Sequence, residues 1–111
     1  MPTFERGDVV RAPFPYTDRD TRQYRPAVVV SDGVIGQNLV WIVMVTSAEN
    51  RPWSQDLALG ERYGDCGLPV PSVVRPVKIT TVDASRIERV GALPLDLLAE
   101  VEQALQRALG R

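Results

Sequence analysis

The sequence predicts a mainly β fold, in which a small, strongly bent sheet or half-open barrel of about five to seven mostly antiparallel strands packs against one C-terminal helix. Three observations support this prediction. Short apolar, β-branched runs are bounded by Gly, Pro, Asp and Ser, as is typical of strands joined by turns. One stretch near the C-terminus has helical periodicity. No linker, internal repeat or low-complexity segment interrupts the chain, so we expect residues 1–111 to form one domain.

The first half of the chain contains three predicted strands. Residues 7–14 alternate weakly between apolar and polar positions, and Gly7-Asp8 opens this strand. Residues 26–31 are predicted as a strand buried on both faces, with Pro26 at its first position because a missing N–H costs the ladder least there. Residues 39–46 are apolar throughout, which predicts a central strand with Trp41 in the core.

The second half combines shorter strands with the helix. We expect a short strand at 56–59, a turn or long loop at 60–67 that carries Cys66, strands at 71–76 and 77–82 separated at Pro76, and a last short strand within 86–93. Residues 94–109 predict an amphipathic helix of about four turns. Pro94 fits its first turn and Gly110 lies past its end. Its apolar positions are Leu98, Val101, Leu105 and Leu109, widened by Leu97, Ala104 and Ala108.

The composition excludes several kinds of site. There is no histidine, which excludes Ser-His-Asp and Cys-His catalysis and histidine-bound zinc. A single cysteine excludes an internal disulfide and a cysteine-rich metal site, and no glycine-rich phosphate loop is present. We therefore expect no cofactor and no metal. The N-terminus is too polar for a signal peptide and no apolar run is long enough to span a bilayer, so we expect a cytoplasmic protein with no membrane contact.

The positive charge is carried almost entirely by arginine. Twelve of the thirteen cations are arginine and Lys78 is the sole lysine, while the formal net charge is −1. The planar guanidinium suits phosphate and carboxylate groups, although a compositional bias of the source genome would produce the same enrichment. A basic face and an acidic back, formed by the helix, would reconcile arginine with the net charge. The alternative is that Asp18 and Asp20 simply neutralise Arg19 and Arg22.

Arg25 is the first candidate for a functional cation. It directly precedes the rigid 26–31 strand, and the entirely polar loop 17–23 precedes it, so the guanidinium is expected at the mouth of the barrel. The alternative is a surface arginine that merely flanks a core strand. A second polar connection, 48–55, contains Trp53, which could stack on a base or fold back to cap the barrel.

Taken in order, these segments resemble the MazF/PemK (Kid) family of toxins from type II toxin–antitoxin systems. The resemblance is carried by Gly7-Asp8-Val9-Val10, by Arg25-Pro26-Ala27-Val28-Val29-Val30-Ser31, by Val45-Thr46-Ser47, by Ser72-Val73-Val74-Arg75 and by Thr80-Thr81-Val82-Asp83. It implies a compact SH3-like barrel, usually a homodimer. It also implies sequence-specific, metal-independent cleavage of single-stranded RNA, the activity of an mRNA interferase, and a cognate antitoxin with an acidic disordered segment.

The resemblance also suggests site residues. In the MazF branch the proposed catalytic pair falls on Arg25 and Thr46. The PemK/Kid branch uses an Arg-x-Asp pair and a histidine, whereas this chain has Val77 after Arg75-Pro76 and no histidine, which puts the role of Arg75 in doubt. The residues expected to bind RNA are Arg11, Tyr16, Arg19, Arg22, Ser47, Arg51, Trp53 and Arg75. Exposed Phe14, Tyr16 or Trp53 would receive apolar residues of the antitoxin.

The chemistry leaves two points open. Attack by a 2′-hydroxyl on the adjacent phosphate requires a proton acceptor, and arginine stays protonated at ordinary pH. Asp18 or Asp20 is a possible base, but no pattern assigns it. Two other functions also fit the barrel: a toxin resembling CcdB, which poisons DNA gyrase without catalysis, and an inactive binding barrel. Neither needs Arg25 together with Thr46.

Overall fold

The computed structural model describes residues 3–15 and 22–111. It contains strands β1 (Asp8–Pro15), β2 (Arg22–Val29), β3 (Leu39–Ser47), β4 (Leu57–Ala58), β5 (Ser72–Asp83) and β6 (Glu88–Ala92), helix α1 (Leu95–Ala108), and two 3₁₀ helices at Gly60–Cys66 and Ala84–Arg86. The six strands form one antiparallel sheet in the order β4-β5-β3-β2-β1-β6. The predicted fold, a β-rich, curled half-barrel with one C-terminal helix, is confirmed.

Apolar side chains cover both faces of this sheet because β1, β2 and β3 are apolar at successive positions. One face, which we call the Ile42 face, packs Ala12, Ala27 and Ile42 with Phe4 and Ile87 from outside the strands. The other face, which we call the helix face, packs Val9, Val28, Val43 and Val74 against Leu97, Leu98 and Val101 of α1. The face to which a residue points therefore decides whether it meets the helix.

Strand β2 begins earlier than predicted. It runs from Arg22, so Pro26 lies inside the strand, opposite Arg11 of β1, and not at its first position. The missing N–H of Pro26 is tolerated because the paired residues between β2 and β3 begin only at Ala27, opposite Met44. Arg25 consequently stands within a strand, just beyond the point where the ladder to β3 ends.

Strand β5 is continuous where two strands were predicted. The chain does not break at Pro76; instead the pairing with β3 shifts there, because Met44 faces Arg75 whereas the neighbouring Val43 faces Ile79. Residues 76–78 form a bulge between these pairs. The bulge rotates the strand, so Arg75 points to the Ile42 face and Ile79 points to the helix face.

Two further predictions about burial were wrong. Trp41 is 48% exposed, because it points to the helix face at a place that α1 does not cover. Cys66 is fully buried and ends a 3₁₀ helix, not a loop, and burial raises the pKa of its thiol. Its backbone lies so close to Gly91 that a Cβ on Gly91 would overlap the Cys66 carbonyl.

Helix α1 closely matches its prediction. Pro94 is its N-cap residue, and Gly110 beyond its end has a positive φ of 82°. The buried residues Leu97, Leu98, Val101 and Ala104 form the expected stripe. Gly7, which precedes β1, has a positive φ of 95°, a conformation that favours glycine, and Leu98 packs against it.

Candidate nucleic-acid interface

Three polar residues lie on the Ile42 face of the neighbouring strands β5, β3 and β2. Thr46 follows Met44 by two positions on β3, and Arg75 of β5 faces Met44, so both point to this face. Continuing the β2–β3 register by two residues beyond Ala27 and Met44 places Arg25 opposite Thr46. The strand order β5-β3-β2 therefore brings Arg75, Thr46 and Arg25 side by side, with the apolar cluster of the Ile42 face beneath them.

Thr46 is buried but keeps its hydroxyl proton available. Its Oγ1 accepts a hydrogen bond of 2.6 Å from the side-chain amide of Asn50, in the turn that follows β3. A hydroxyl oxygen that accepts a bond from one side can still donate its own proton to another acceptor. Asn50 therefore orients Thr46 as a donor.

Arg75 is held in place by three hydrogen bonds and a contact with an aromatic ring. Its side chain is only 7% exposed, and its Nε and Nη2 each donate a 3.0 Å hydrogen bond to one oxygen of Asp56. Nη2 also donates to the backbone carbonyl of Arg51 at 3.0 Å. The Trp53 ring lies against the guanidinium, with 4.2 Å from Cζ to the ring centroid.

Asp56 stays ionised in this arrangement. Burial alone would raise its pKa, but the hydrogen bonds from Arg75 and from the Trp53 N–H, together with the guanidinium charge, hold the pKa below its ordinary value. With both oxygens engaged by Arg75, Asp56 is a poor proton acceptor.

Trp53 and Lys78 form the rim of this cluster. The ring is 44% exposed although one part of it covers Arg75, and Lys78 Nζ lies 5.7 Å from its centroid. Trp53 was predicted either to stack on a base or to fold back on the barrel. The ring packs back on Arg75 and still presents surface to solvent, so its position is compatible with both. Arg51 contributes its carbonyl to the cluster while the residue itself is exposed.

Two predicted residues point away from this cluster. Arg11 pairs with Pro26, one position from Arg25, and therefore points to the helix face, where its guanidinium lies 5.8 Å from the Tyr24 ring centroid. The expectation that Arg11 joins Arg25 at one basic mouth is wrong for this reason. Ser47, next to Thr46, is directed to the helix face by the same alternation and accepts a 3.3 Å bond from the Glu49 N–H.

Several predictions fall on residues that are not described. Tyr16, Asp18, Arg19 and Asp20 lie outside the described residues, and so does the side chain of Arg22, although its backbone belongs to β2. Phe14 is described and is buried in the Ile42-face cluster. The prediction that Phe14 is exposed and receives antitoxin residues is therefore wrong.

The predicted acidic back is partly neutralised. Asp96 of α1 pairs with Arg62, whose two Nη atoms donate to its two oxygens at 2.7 and 3.0 Å, and this hydrogen bonding lowers the pKa of Asp96. Glu102 accepts a 3.1 Å bond from Arg6. The helix is thus bordered by cations from the 3₁₀ helix and the N-terminal segment, which the sequence pattern did not indicate.

Asp56 and Asn50 are the site residues that sequence reasoning missed. Asp56 is an isolated carboxylate just before the two-residue strand β4, 19 residues before Arg75, and no local spacing connects them. The sequence indicates Asn50 only weakly, because an Asn in the turn after a strand can hydrogen-bond to a hydroxyl at the end of that strand.

No group of three or more His, Cys, Asp or Glu side chains within residues 3–15 and 22–111 is placed to hold a metal ion. In that same part of the chain, no helix is both long enough and apolar enough to cross a membrane.

The fold and this cluster define a class of small half-barrel proteins that hold arginine and hydroxyl side chains on one face of neighbouring strands. The model of the PemK-like, MazF-like toxins of type II toxin–antitoxin systems matches residues 5–109. The chain belongs to this toxin family, as the sequence resemblance predicted. No curated protein matches its sequence.

Solved structures agree with this assignment. MazF (Form-I) from Deinococcus radiodurans is 26% identical, with a TM-score of 0.77 and coverage of 100% of both chains. A MazE–MazF crystal structure (Form-II) from the same organism is 26% identical, with a TM-score of 0.74 over 99% of this chain and 98% of the other. An endoribonuclease from a mycobacterial species shares the fold at 22% identity, with a TM-score of 0.73 over 99% of this chain and 94% of the other.

Proposed function

We propose that this toxin is a sequence-specific, metal-independent endoribonuclease that cleaves single-stranded RNA by attack of a 2′-hydroxyl on the adjacent phosphate. The observation that carries this proposal is the placement of Arg25, Thr46 and Arg75 on one face of three neighbouring strands. Two guanidinium groups and one hydroxyl donor suit a phosphate whose negative charge increases during the reaction.

Each residue has a chemical task in this mechanism. The 2′-oxygen loses its proton and forms a bond to phosphorus, the bond between phosphorus and the 5′-oxygen breaks, and the 5′-oxygen takes up a proton, leaving a 2′,3′-cyclic phosphate and a 5′-hydroxyl. Arg25 stabilises the phosphorane through two parallel N–H donors. Thr46 donates its proton to a further phosphate oxygen, because Asn50 already occupies one acceptor site of its oxygen. Arg75 neutralises charge beside them.

The proton acceptor is not assigned. Asp56 is the acidic side chain that contacts the cluster, and its lowered pKa and its two bonds to Arg75 make it unsuited to accept the 2′-hydroxyl proton. Asp18 and Asp20 remain candidates from the sequence.

A long single-stranded RNA tests this function. Incubation of the pure protein with this RNA and a chelator is expected to give discrete cuts ending in 2′,3′-cyclic phosphate, and 2′-deoxy substitution at a cut site is expected to abolish that cut. Arg25→Ala is expected to lower the cleavage rate by about 100- to 1000-fold. Arg107→Ala, on the exposed end of α1, is the matched control and should cleave normally. Intact RNA together with inhibition of gyrase supercoiling would favour the non-enzymatic alternative.

The proposed partner is a cognate antitoxin with a disordered acidic segment. A MazE–MazF complex is known for the Deinococcus radiodurans relative. Carboxylates of such a segment would occupy phosphate positions beside Arg25 and Arg75, and its apolar residues would meet the exposed part of Trp53. Affinity for the antitoxin should fall as salt rises, because exposed charges are screened. Titrations at low and high salt, with Arg25→Ala and Arg22→Ala, measure this. Salt-independent and variant-independent binding would contradict a groove shared with RNA.

A homodimer is also proposed. Trp41, Val77, Ile79 and Leu109 are 48%, 43%, 52% and 73% exposed and border one apolar groove between β3, β5 and the end of α1. A second copy of the chain would remove this surface from water. Analytical ultracentrifugation is expected to show a dimer that Ile79→Glu dissociates; a wild-type monomer at micromolar concentration would contradict it.

A further inference from the structure

The guanidinium of Arg75 has one nitrogen left for a ligand. Asp56 and the Arg51 carbonyl use Nε and Nη2, and no hydrogen bond within the described residues involves Nη1. No buried side-chain nitrogen or oxygen in this part of the chain lacks a hydrogen-bond partner, so Nη1 reaches the surface. One edge of the guanidinium is therefore fixed to protein and another edge is open.

The orientation of this open edge is fixed in two directions. The two hydrogen bonds that the guanidinium donates to Asp56 set its rotation within its own plane, and the Trp53 ring, 4.2 Å away, sets the tilt of that plane. A side chain as long as arginine loses considerable rotamer freedom when it is held in this way. Because this freedom is already lost before RNA binds, Nη1 is preorganised.

We propose that Asp56 is a positioning residue, which holds Arg75 so that Nη1 donates to a backbone phosphate of RNA bound across Arg25 and Thr46. This inference rests on the proposed ribonuclease function and adds a residue to it. Asp56 replaces the carboxylate that is missing at Val77, and it comes from the β3–β4 connection and not from the arginine's own strand.

Charge alone predicts that removal of Asp56 strengthens the interaction with RNA, whereas the positioning role predicts that it weakens cleavage. Loss of this carboxylate increases the positive charge beside a polyanion, which by itself strengthens RNA binding. A positioning role predicts weaker cleavage despite the more favourable charge. The sign of the change therefore separates the two explanations.

The experiment is chemical rescue of Asp56→Ala by formate. Truncation leaves space beside Arg75 in which formate can replace the carboxylate. We expect kcat/KM to fall by about 10- to 100-fold, the loss typical when a residue that orients a functional group is removed. Formate should restore part of this loss, whereas chloride at equal ionic strength should not. Circular dichroism identifies a temperature at which the variant is folded, and both the variant and the wild type are assayed at that temperature.

Two controls connect the effect to Arg75. Arg75→Gln should lower kcat/KM, and Asp56→Ala in that background should cause no further loss and show no response to formate. Asp96→Ala removes the partner of another bidentate pair, with Arg62 on the surface of α1, and should leave kcat/KM and the formate response at wild-type values.

The outcomes separate this inference from the function on which it rests. If wild-type protein cleaves RNA and Asp56→Ala retains its kcat/KM, the positioning role is overturned while the ribonuclease function stands. If wild-type protein cleaves no RNA, the proposed function fails. The role of Asp56 is then tested by comparing how tightly the wild type and Asp56→Ala bind a 2′-deoxy-substituted oligonucleotide. Weaker binding that formate restores would then support the positioning role, and binding as tight as wild type or tighter would overturn it.

Discussion

Breaking the Arg75–Asp56 pair is expected to destabilise the protein strongly. The two side chains are 7% and 9% exposed, so Asp56→Asn leaves a nearly buried guanidinium without a counter-charge. Removal of one partner of a buried pair typically costs about 3–5 kcal/mol. At about 2.1 cal/mol/K of unfolding entropy per residue, the chain length makes 1 kcal/mol equivalent to about 4 °C, so Tm should fall by about 12–20 °C.

A double variant tests the reasoning behind this value. Asp56→Leu with Arg75→Met removes both charges and keeps apolar volume, so its Tm should return close to that of wild type or exceed it. Calorimetry at pH 7 measures Tm, and urea denaturation measures the free energy of unfolding.

Asp96→Asn is the control for this cycle, because it breaks a bidentate pair that is exposed to solvent and should change Tm much less. If Asp56→Asn melts within about 3 °C of wild type, on the same entropy scale, then water or another group solvates Arg75 and the reasoning about its burial is wrong.

Three further predictions concern the pKa of Asp56, the hydrogen bond from Asn50 and the close packing of Gly91. Because the pKa of Asp56 is lowered in the folded protein, its contribution to the free energy of unfolding is complete above its unfolded pKa of about 4 and is lost as pH falls below that value. Urea titrations from neutral to acidic pH should show a smaller loss for Asp56→Asn than for wild type, and equal losses would contradict the shift. Asn50→Ala should lower kcat by roughly tenfold, the effect of one lost hydrogen bond, because Thr46 Oγ1 loses its donor; an unchanged kcat in RNA cleavage would show that Thr46 needs no orientation. Gly91→Ala should lower the free energy of unfolding by about 1–3 kcal/mol or more, because its Cβ overlaps the Cys66 carbonyl, whereas Gly64→Ala, whose Cβ meets nothing within 4 Å, should be almost neutral in thermal melts.

The fold was predictable from sequence because its signals are local. The stripe from Leu97 to Leu105 repeats at helical spacing, and the apolar run of β3 needs no information about its neighbours. The predictions failed where distant parts of the chain decide the outcome. Nothing in the run around Trp41 reveals that α1 ends before covering it, and Pro76 indicates a strand break although a bulge accommodates it.

The candidate site was predictable only in part, for the same physical reason. Arg25 stands beside one recognisable apolar run and Thr46 near the end of another, so pattern and resemblance identify them. The pairing of Arg75 with Asp56 depends on how a loop folds over β5, across 19 residues of sequence. Strand alternation alone would have separated Arg11 from Arg25, since residues 11 and 25 fall on opposite faces once Arg11 is paired with Pro26.

The bulge at residues 76–78 shifts the alternation of side chains between the two faces along β5. Residues 75 and 79 are four apart, so in a regular strand they would share a face, yet they face Met44 and Val43, which point to opposite faces. Each half of the strand therefore keeps its own register of inward and outward positions. Deleting one of these three residues would leave residues 75 and 79 three apart, the spacing at which regular alternation by itself places them on opposite faces. At the present spacing of four, regular alternation would place them on one face. The irregular conformation of this segment, and not its length alone, thus keeps the polar cluster and the apolar groove on opposite sides of one strand.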